Sequence, residues 1–282
     1  MIVATVPVRC LDSAFAPLAS ALAYLTLWKV GPRADSLLLA ARRMAHALNA
    51  LDALKQEELS PSHGDQWTAD REFLIGVISC RASIDNCCHS LVEILGLEFS
   101  RRTSVDIAKL EFRDAVRRDA TPKVAELAPK LDAIAEELGT LTAYRHAFAH
   151  RVPPMVVHSR ETGRLVVTQN PDSLDAISHF LDLSSGTSQP VAPVVDALEA
   201  AAGLARRMLV VTTQVAIAKA VAAGITHPRQ PSPAEAGRAL LWLSRDPEGP
   251  AVSGVWADWG RQVSKMYPPT DSEPGSPAAS SD

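Results

Sequence analysis

Aromatic residues are scarce in this chain of 282 residues, which limits how its interior can be built. Phe, Trp and Tyr together make up only 5% of the sequence, so a core has to consist mostly of Ala, Leu and Val. The alanines and leucines favour helix. Hydrophobic residues reach 47%, an ordinary globular fraction that allows a sizeable core. The composition therefore predicts a helical globular protein with one large domain or two modest ones.

Cysteine is also rare, which argues against a disulfide scaffold and against a zinc site. The chain has four cysteines, Cys10, Cys80, Cys87 and Cys88, and their spacing matches no zinc pattern. The cysteine framework of a small secreted domain is absent as well. Reduced thiols in a cytoplasmic protein are the simpler interpretation.

Excess positive charge and long apolar runs are missing too. The formal net charge is −4, which argues against a generally basic surface for nucleic acid. The most apolar N-terminal stretch, Ala14–Trp28, is too short for a membrane span and contains Pro17. A signal peptide needs a basic start, whereas the first basic residue is Arg9. We expect a cytoplasmic protein without a membrane partner.

Helical spacing of apolar residues dominates the middle of the chain. It predicts long helices at Arg33–Leu59, Trp67–Leu95, Pro122 to the pair Pro153-Pro154, and Val191–Ala223, with shorter helical pieces at Arg101–Ala120 and Asn170–Leu181. Two β-branched runs, Pro154–Ser159 and Arg164–Gln169, predict a hairpin with Gly163 in its turn. The expected fold is all-α: a bundle of four or five long helices with a small inserted β-hairpin.

Four regions follow from this pattern. Residues 1–32 form an N-terminal segment, and residues 33–226 form the bundle with the hairpin at 154–169. Residues 227–267 are expected to form a short helical cap. Residues 268–282 are of low complexity and are expected to be disordered.

The stretch Tyr144–Arg151, with the sequence YRHAFAHR, is the most informative one for function. It places two arginines and two histidines in eight residues, directly before Pro153-Pro154. Arginine can bind phosphate with a planar, permanently charged fork. Histidine can accept and donate protons near neutral pH. The stretch is therefore a candidate site for phosphate chemistry.

This stretch resembles the signature of the HEPN superfamily, whose name stands for higher eukaryotes and prokaryotes nucleotide-binding. Members are helical bundles whose motif is an arginine, a spacer of four to six residues and a histidine, with a polar residue after the arginine. Arg145 matches the arginine, His146 the polar position and His150 the histidine. The helix order is similar from Arg33 to Val221, and RASIDNCCHSLVEILG, Arg81–Gly96, is a looser likeness.

The resemblance implies a ribonuclease that needs neither metal nor cofactor, of the toxin or defence type. His150 would exchange a proton with the ribose 2′-hydroxyl, Arg145 would hold the phosphate, and His146 would support them. Tyr144 and Arg151 flank these residues and are expected to contribute to binding. Asp85, Asn86 and His89 on the second long helix are candidates to line the same cleft.

Helix geometry adds a requirement for two chains. Arg145 and His150 are five residues apart, which puts them about 140° apart around an ideal helix. In the family the motif helices of two protomers meet, so one site can draw on both chains. The resemblance therefore implies a homodimer formed through the motif helix, with RNA as the expected partner and an antitoxin as a further one.

Each of these interpretations has a structural alternative. Cations in the last turns of a helix stabilise it through the free carbonyl groups, with no site involved. Asp85 and His89 can form an ordinary i, i+4 pair. Acidic residues interrupt the basic cluster, so a solvated helix face is favoured there over an RNA track; its members are Arg101, Arg102, Lys109, Arg113, Arg117 and Arg118. The alternative function is a catalytically silent HEPN-like module that binds nucleotide, RNA or a protein partner.

Overall fold

A computed structural model describes residues 32–59, 66–101, 104–150, 155–160, 162–168 and 192–223. It describes the backbone alone for residues 32–35, 38, 66–67, 140, 143–150, 168 and 192. The expected N-terminal segment, the helical piece at 170–181, the cap at 227–267 and the tail at 268–282 lie outside the described residues, apart from Pro32.

Five helices make up most of the described chain, which confirms the all-α bundle. They are α1 (Pro32–Leu59), α2 (Gln66–Leu95), α3 (Leu110–Arg117), α4 (Pro122–His150) and α5 (Val194–Ala222). The predicted bounds of α1 and α2 and the predicted start of α4 agree closely with these, whereas the shorter helical piece expected at Arg101–Ala120 is helical only over α3, Leu110–Arg117. Pro122 opens α4, where its missing N–H costs no hydrogen bond. Gly96 follows α2 with a φ of 64°, a left-handed conformation that glycine adopts without strain.

The predicted hairpin is also present, and it gains a strand that the sequence did not indicate. Strands β1 (Met155–His158) and β2 (Leu165–Thr168) pair antiparallel, with Val156 opposite Val167. A short strand, β3 (Ala192–Pro193), pairs with the other edge of β2. The last long helix therefore begins at Val194, not at Val191 as predicted. The physical reason is Pro193, which disfavours helix at the residue before it and leaves Ala192 extended.

Helices α2 and α5 form the centre of the bundle. Each of them packs against α1 and α4, which flank this pair. Small residues keep the central pair close: Gly76 on α2 is buried against Leu198 on α5. Large aromatic side chains are few in this core, and Phe73 and Phe112 are the two that are fully buried among the side chains that the structure describes. The interior is thus built from Ala, Leu and Val, as the composition predicted.

Successive long helices run in opposite directions, as side-chain pairs between them show. Lys130 on α4 bonds to Gln214 on α5, and Arg207 on α5 bonds to Glu137 on α4. The order of these pairs makes α4 and α5 antiparallel. The three-stranded sheet contacts α2 and α5, and its bonds reach the end of α1 and the starts of α2 and α5. We call this the sheet end of the bundle. None of the described helices is long and apolar enough to cross a membrane.

Candidate functional site

The motif forms the last two turns of α4 and reaches the sheet end. Backbone residues Tyr144–His150 are helical, and α4 ends at His150. Their side chains, and all of Arg151, lie outside the described residues. The antiparallel pairs between α4 and α5 put the end of α4 beside the start of α5. The motif is therefore located at the end of the bundle that carries the sheet.

Helical phase assigns the motif arginine and histidine to different rows of α4. Arg145 comes seven residues after Leu138 and four after Leu141, both of which are buried. Its position therefore continues the core-facing row of the helix. His150 comes 18 residues, or about five turns, after Asp132. The Asp132 row is the one that pairs with α3 through Arg113. A single helix thus separates the two motif positions, as the spacing predicted.

Asp85, Asn86 and His89 occupy the half of α2 remote from the sheet. The side chains of Cys87 on α2 and Thr212 on α5 are hydrogen-bonded, so Asp85 is level with about the middle of α4. That level is roughly 15 Å or more from the motif along the bundle axis, at about 1.5 Å per residue. Within one chain, the fold does not bring these three residues to the motif.

Asp85 has a partner on its own helix, where it belongs to a charge cluster around the buried Arg81. Its carboxylate lies 2.9 Å from Nη1 of Arg81, one turn earlier. Arg81 also donates from Nη2 to Asp106 at 3.0 Å. The Arg81 side chain is only 5% exposed, so both carboxylates are needed to offset the cost of burying its charge. This cluster attaches the loop before α3 to α2.

Two basic residues of α3 are paired in the way that a solvated helix face predicts. Arg113 donates from Nε to Asp132 at 2.9 Å. Arg117 bonds to the other oxygen of Asp132 and also to Asp114. With their charges neutralised in this way, Arg113 and Arg117 are poor candidates for an RNA-binding track. Arg102 lies outside the described residues.

A second basic group, on α1, was not singled out from the sequence. Arg42 and Arg43 are exposed, and His46 lies one turn further on the same helix. Partial burial, together with the charges of Arg42 and then Arg43, lowers the pKa of His46. A histidine with a lowered pKa is neutral at physiological pH and adds no positive charge to this surface. The group is thus a pair of surface arginines.

The sheet end contains a cluster that sequence reasoning missed. Arg164, directly before β2, donates from Nε to Glu58 at the end of α1, at 2.9 Å, and from Nη1 to Asp196 in the first turn of α5, at 3.0 Å. Hydrogen bonds to Asp196 and Glu58 raise the pKa of Arg164 further above its usual range. In the sequence, the only signal was a charged residue directly after the turn glycine, Gly163.

A carboxylate on α2 completes this cluster. The N–H of Val156 in β1 donates to Oδ1 of Asp70, at 2.6 Å. Burial raises the pKa of Asp70, and the hydrogen bond from Val156 opposes that effect. Three helices thus supply carboxylates to the sheet: α1 through Glu58, α2 through Asp70 and α5 through Asp196.

Metal ligation has no basis in the side chains that the structure describes. Among them, no group of three or more His, Cys, Asp or Glu residues could hold an ion. The imidazoles of His146 and His150 lie outside that set. Cys80, Cys87 and Cys88 are free and buried, and burial raises the pKa of Cys80 and of Cys87 to about 12. These thiols are poor nucleophiles at neutral pH.

Comparisons with known proteins found no similar family, sequence or structure. Protein-family models, curated proteins and solved structures were each searched with this chain, and none of the three searches returned a match.

Proposed function

We propose that this protein is a HEPN-like endoribonuclease that cleaves RNA without a metal ion and acts as a homodimer. One observation carries the proposal: the segment with Arg145, His146 and His150 forms the last two turns of a long helix in an all-α bundle. HEPN motifs have this position. The support is the resemblance of the motif together with the helical architecture.

The chemistry requires a base and a cation at one phosphodiester. His150 takes the proton of the ribose 2′-hydroxyl, the 2′-oxygen forms a bond to phosphorus, and the bond from phosphorus to the 5′-oxygen breaks. The leaving 5′-oxygen then gains a proton from the solvent or from a second imidazole. Arg145 stabilises the negative charge that grows on the phosphoryl oxygens. His146 supports one of these two groups.

Two chains are needed because the positions of Arg145 and His150 point about 140° apart on one helix. A pair of antiparallel motif helices, one from each protomer, can bring Arg145 of one chain to His150 of the other. The two-fold symmetry of such a dimer would create two equivalent sites. RNA is the proposed partner, and a neutralising antitoxin remains a further proposal.

The test uses purified protein, mixed RNA and EDTA. We expect the wild-type dimer to cleave, and we expect Arg145→Ala and His150→Ala to lose at least about 100-fold in rate, the usual effect of losing acid–base or charge stabilisation. Arg206→Ala is the matched control, since it removes an exposed arginine from α5. Cleavage should survive in that variant. Absence of cleavage by a verified dimer across several RNA pools would refute the proposal.

Mixing the two inactive variants tests whether the site is shared between chains. Randomly assorted dimers are half mixed, and each mixed dimer keeps one intact site if Arg145 and His150 come from different chains. Activity should then recover to about a quarter of the wild-type rate. No recovery after verified subunit exchange would show that each site is built from a single chain.

A further inference from the structure

The sheet fastens one end of the bundle by bonds to three helices. Arg164 joins Glu58 of α1 to Asp196 of α5, and Asp70 of α2 accepts from the backbone of β1. An isolated surface ion pair contributes little to stability. Arg164 differs from that case because it bonds two carboxylates on separate helices and because the Glu58 side chain is only 18% exposed.

Local geometry fixes Arg164 in place. Gly163 before it has a φ of 68°, and its N–H donates to the carbonyl of Ser159 at 2.8 Å. The N–H of Ser159 in turn donates to the carbonyl of Arg164 at 2.8 Å. Two backbone hydrogen bonds therefore close the turn. Because the turn fixes the backbone at Arg164, the side chain starts in a defined direction. This favours simultaneous contact of its guanidinium group with Glu58 and Asp196.

The same end of the bundle is where the motif helix stops. Lys130 pairs with Gln214, and Glu137 pairs with Arg207. Continuing this antiparallel register puts His150 level with the first turn of α5, where Asp196 binds Arg164. Only residues 151–154 separate α4 from β1, so the two ends cannot be more than about 19 Å apart.

We propose that Arg164 is a positioning residue for the motif: by holding the sheet on α1 and α5, it keeps the last two turns of α4 in place. This inference rests on the proposed function, because a motif that does no chemistry has no need of positioning. Helix ends fray unless something holds them. For α4, the hairpin that follows it supplies that hold, and Arg164 attaches the hairpin to α1 and α5.

Amide hydrogen exchange of the backbone at 143–150 tests this hold without any need for activity. In Arg164→Ala, exchange there should become at least about tenfold faster, the effect of losing charge-assisted hydrogen bonds. Asp196→Asn should move exchange in the same direction. Arg164→Lys should restore protection only partly, because an ammonium group cannot bond both carboxylates as a fork.

Arg207→Ala is the matched control. It removes an arginine that also bonds a carboxylate with two nitrogens, and that carboxylate, Glu137, lies on α4 itself. The pair is about half exposed and lies more than a turn before the motif. Exchange at 143–150 should change less than about twofold in this variant. An equal effect of Arg164→Ala and Arg207→Ala would overturn the inference.

Cleavage kinetics separate this inference from the proposed function. If the wild type cleaves RNA, Arg164→Ala should lower kcat by at least about tenfold with little change in KM, since a misplaced group mainly affects the transition state. Normal kcat in that variant, with Arg145→Ala inactive, would overturn the positioning role alone. If the wild type does not cleave RNA, the proposed function fails. Independently of cleavage, unchanged amide exchange at 143–150 in Arg164→Ala would show that Arg164 does not hold the end of α4 in place.

Discussion

Gly76 shows how one small residue decides the spacing of the central helices. A Cβ added at this position would lie 2.5 Å from Cδ2 of Leu198 and 2.7 Å from its Cδ1. Leu198 is fully buried, so a shift of its side chain has to displace packed neighbours. Close packing of this kind makes an added methyl group unfavourable even though alanine is the better helix former.

The expected effect of Gly76→Ala is a loss of about 1–3 kcal/mol in the free energy of unfolding, the usual cost of overpacking. Gly139→Ala is the control. Gly139 also lies inside a long helix, but an added Cβ there meets nothing within 4 Å. That change should raise stability by about 0.5–1 kcal/mol. Urea unfolding measures the free energy of unfolding of both variants. A neutral or stabilising effect of Gly76→Ala would contradict the close contact between Gly76 and Leu198.

At the scale of the element, Asp119 connects the start of α4 to the end of α5. Its Oδ1 accepts from the N–H of Thr121 at 2.9 Å, and its Oδ2 accepts from Nζ of Lys219 at 3.0 Å. Burial by itself raises the pKa of Asp119, but the bonds from Thr121 and Lys219 outweigh burial and hold the pKa below its ordinary value of 3.8. The ionised form is therefore the one that stabilises the fold.

The pH dependence follows from that direction. Because the pKa is lowered in the folded state, the contribution of Asp119 is fully present above pH 3.8 and is lost as pH falls through the folded pKa. We expect Asp119→Asn to lower the free energy of unfolding by about 1–2 kcal/mol at pH 7. The difference from wild type should shrink as the pH falls below 3.8 and through the folded pKa.

Urea unfolding over a pH series measures this effect. Glu126→Gln is the control, since Glu126 forms an exposed pair with Lys123 and its side chain is 61% exposed. Exposed pairs contribute little, so that variant should change by less than about 0.5 kcal/mol at any pH. An Asp119→Asn effect that persists unchanged at acid pH would show that its charge is not involved.

At the scale of the whole molecule, three cysteines report on the integrity of the core. Cys80, Cys87 and Cys88 lie on α2, all of them fully buried. Burial raises the pKa of Cys88 well above its usual value, as it does for the other two. A thiol has to reach solvent and ionise before it can react, so each of them depends on opening of the bundle.

We therefore expect native protein to protect these three thiols from a disulfide reagent at pH 8, and denatured protein to expose them. Mass spectrometry of the labelled peptides assigns the sites and separates them from Cys10, which lies outside the described residues. The labelling rate should rise with urea in parallel with global unfolding. Rapid labelling of Cys87 or Cys88 in native buffer would contradict the packing of α2 against α5.

The sequence by itself determined the helices, the hairpin and the composition of the core. These features depend on local patterns: apolar spacing along α2, Pro122 and Gly96 at helix boundaries, and β-branched runs on either side of Gly163. It also singled out the motif, because Arg145 and His150 are close in sequence. The distance from the motif to Asp85 could not be predicted from the sequence. It depends on the register of α2 against α5 and of α5 against α4.

Only the tertiary structure decided which charged residues of different elements meet. Arg164 pairs with Glu58 and Asp196 across separations of 106 and 32 residues, and no local pattern encodes such pairs. The same holds for Arg81 with Asp106, and for the short strand that makes α5 begin after Pro193. Hydrophobic periodicity acts within one element, whereas ion pairs between elements require the helices to be packed first. The sheet end beside the motif is therefore a product of the fold.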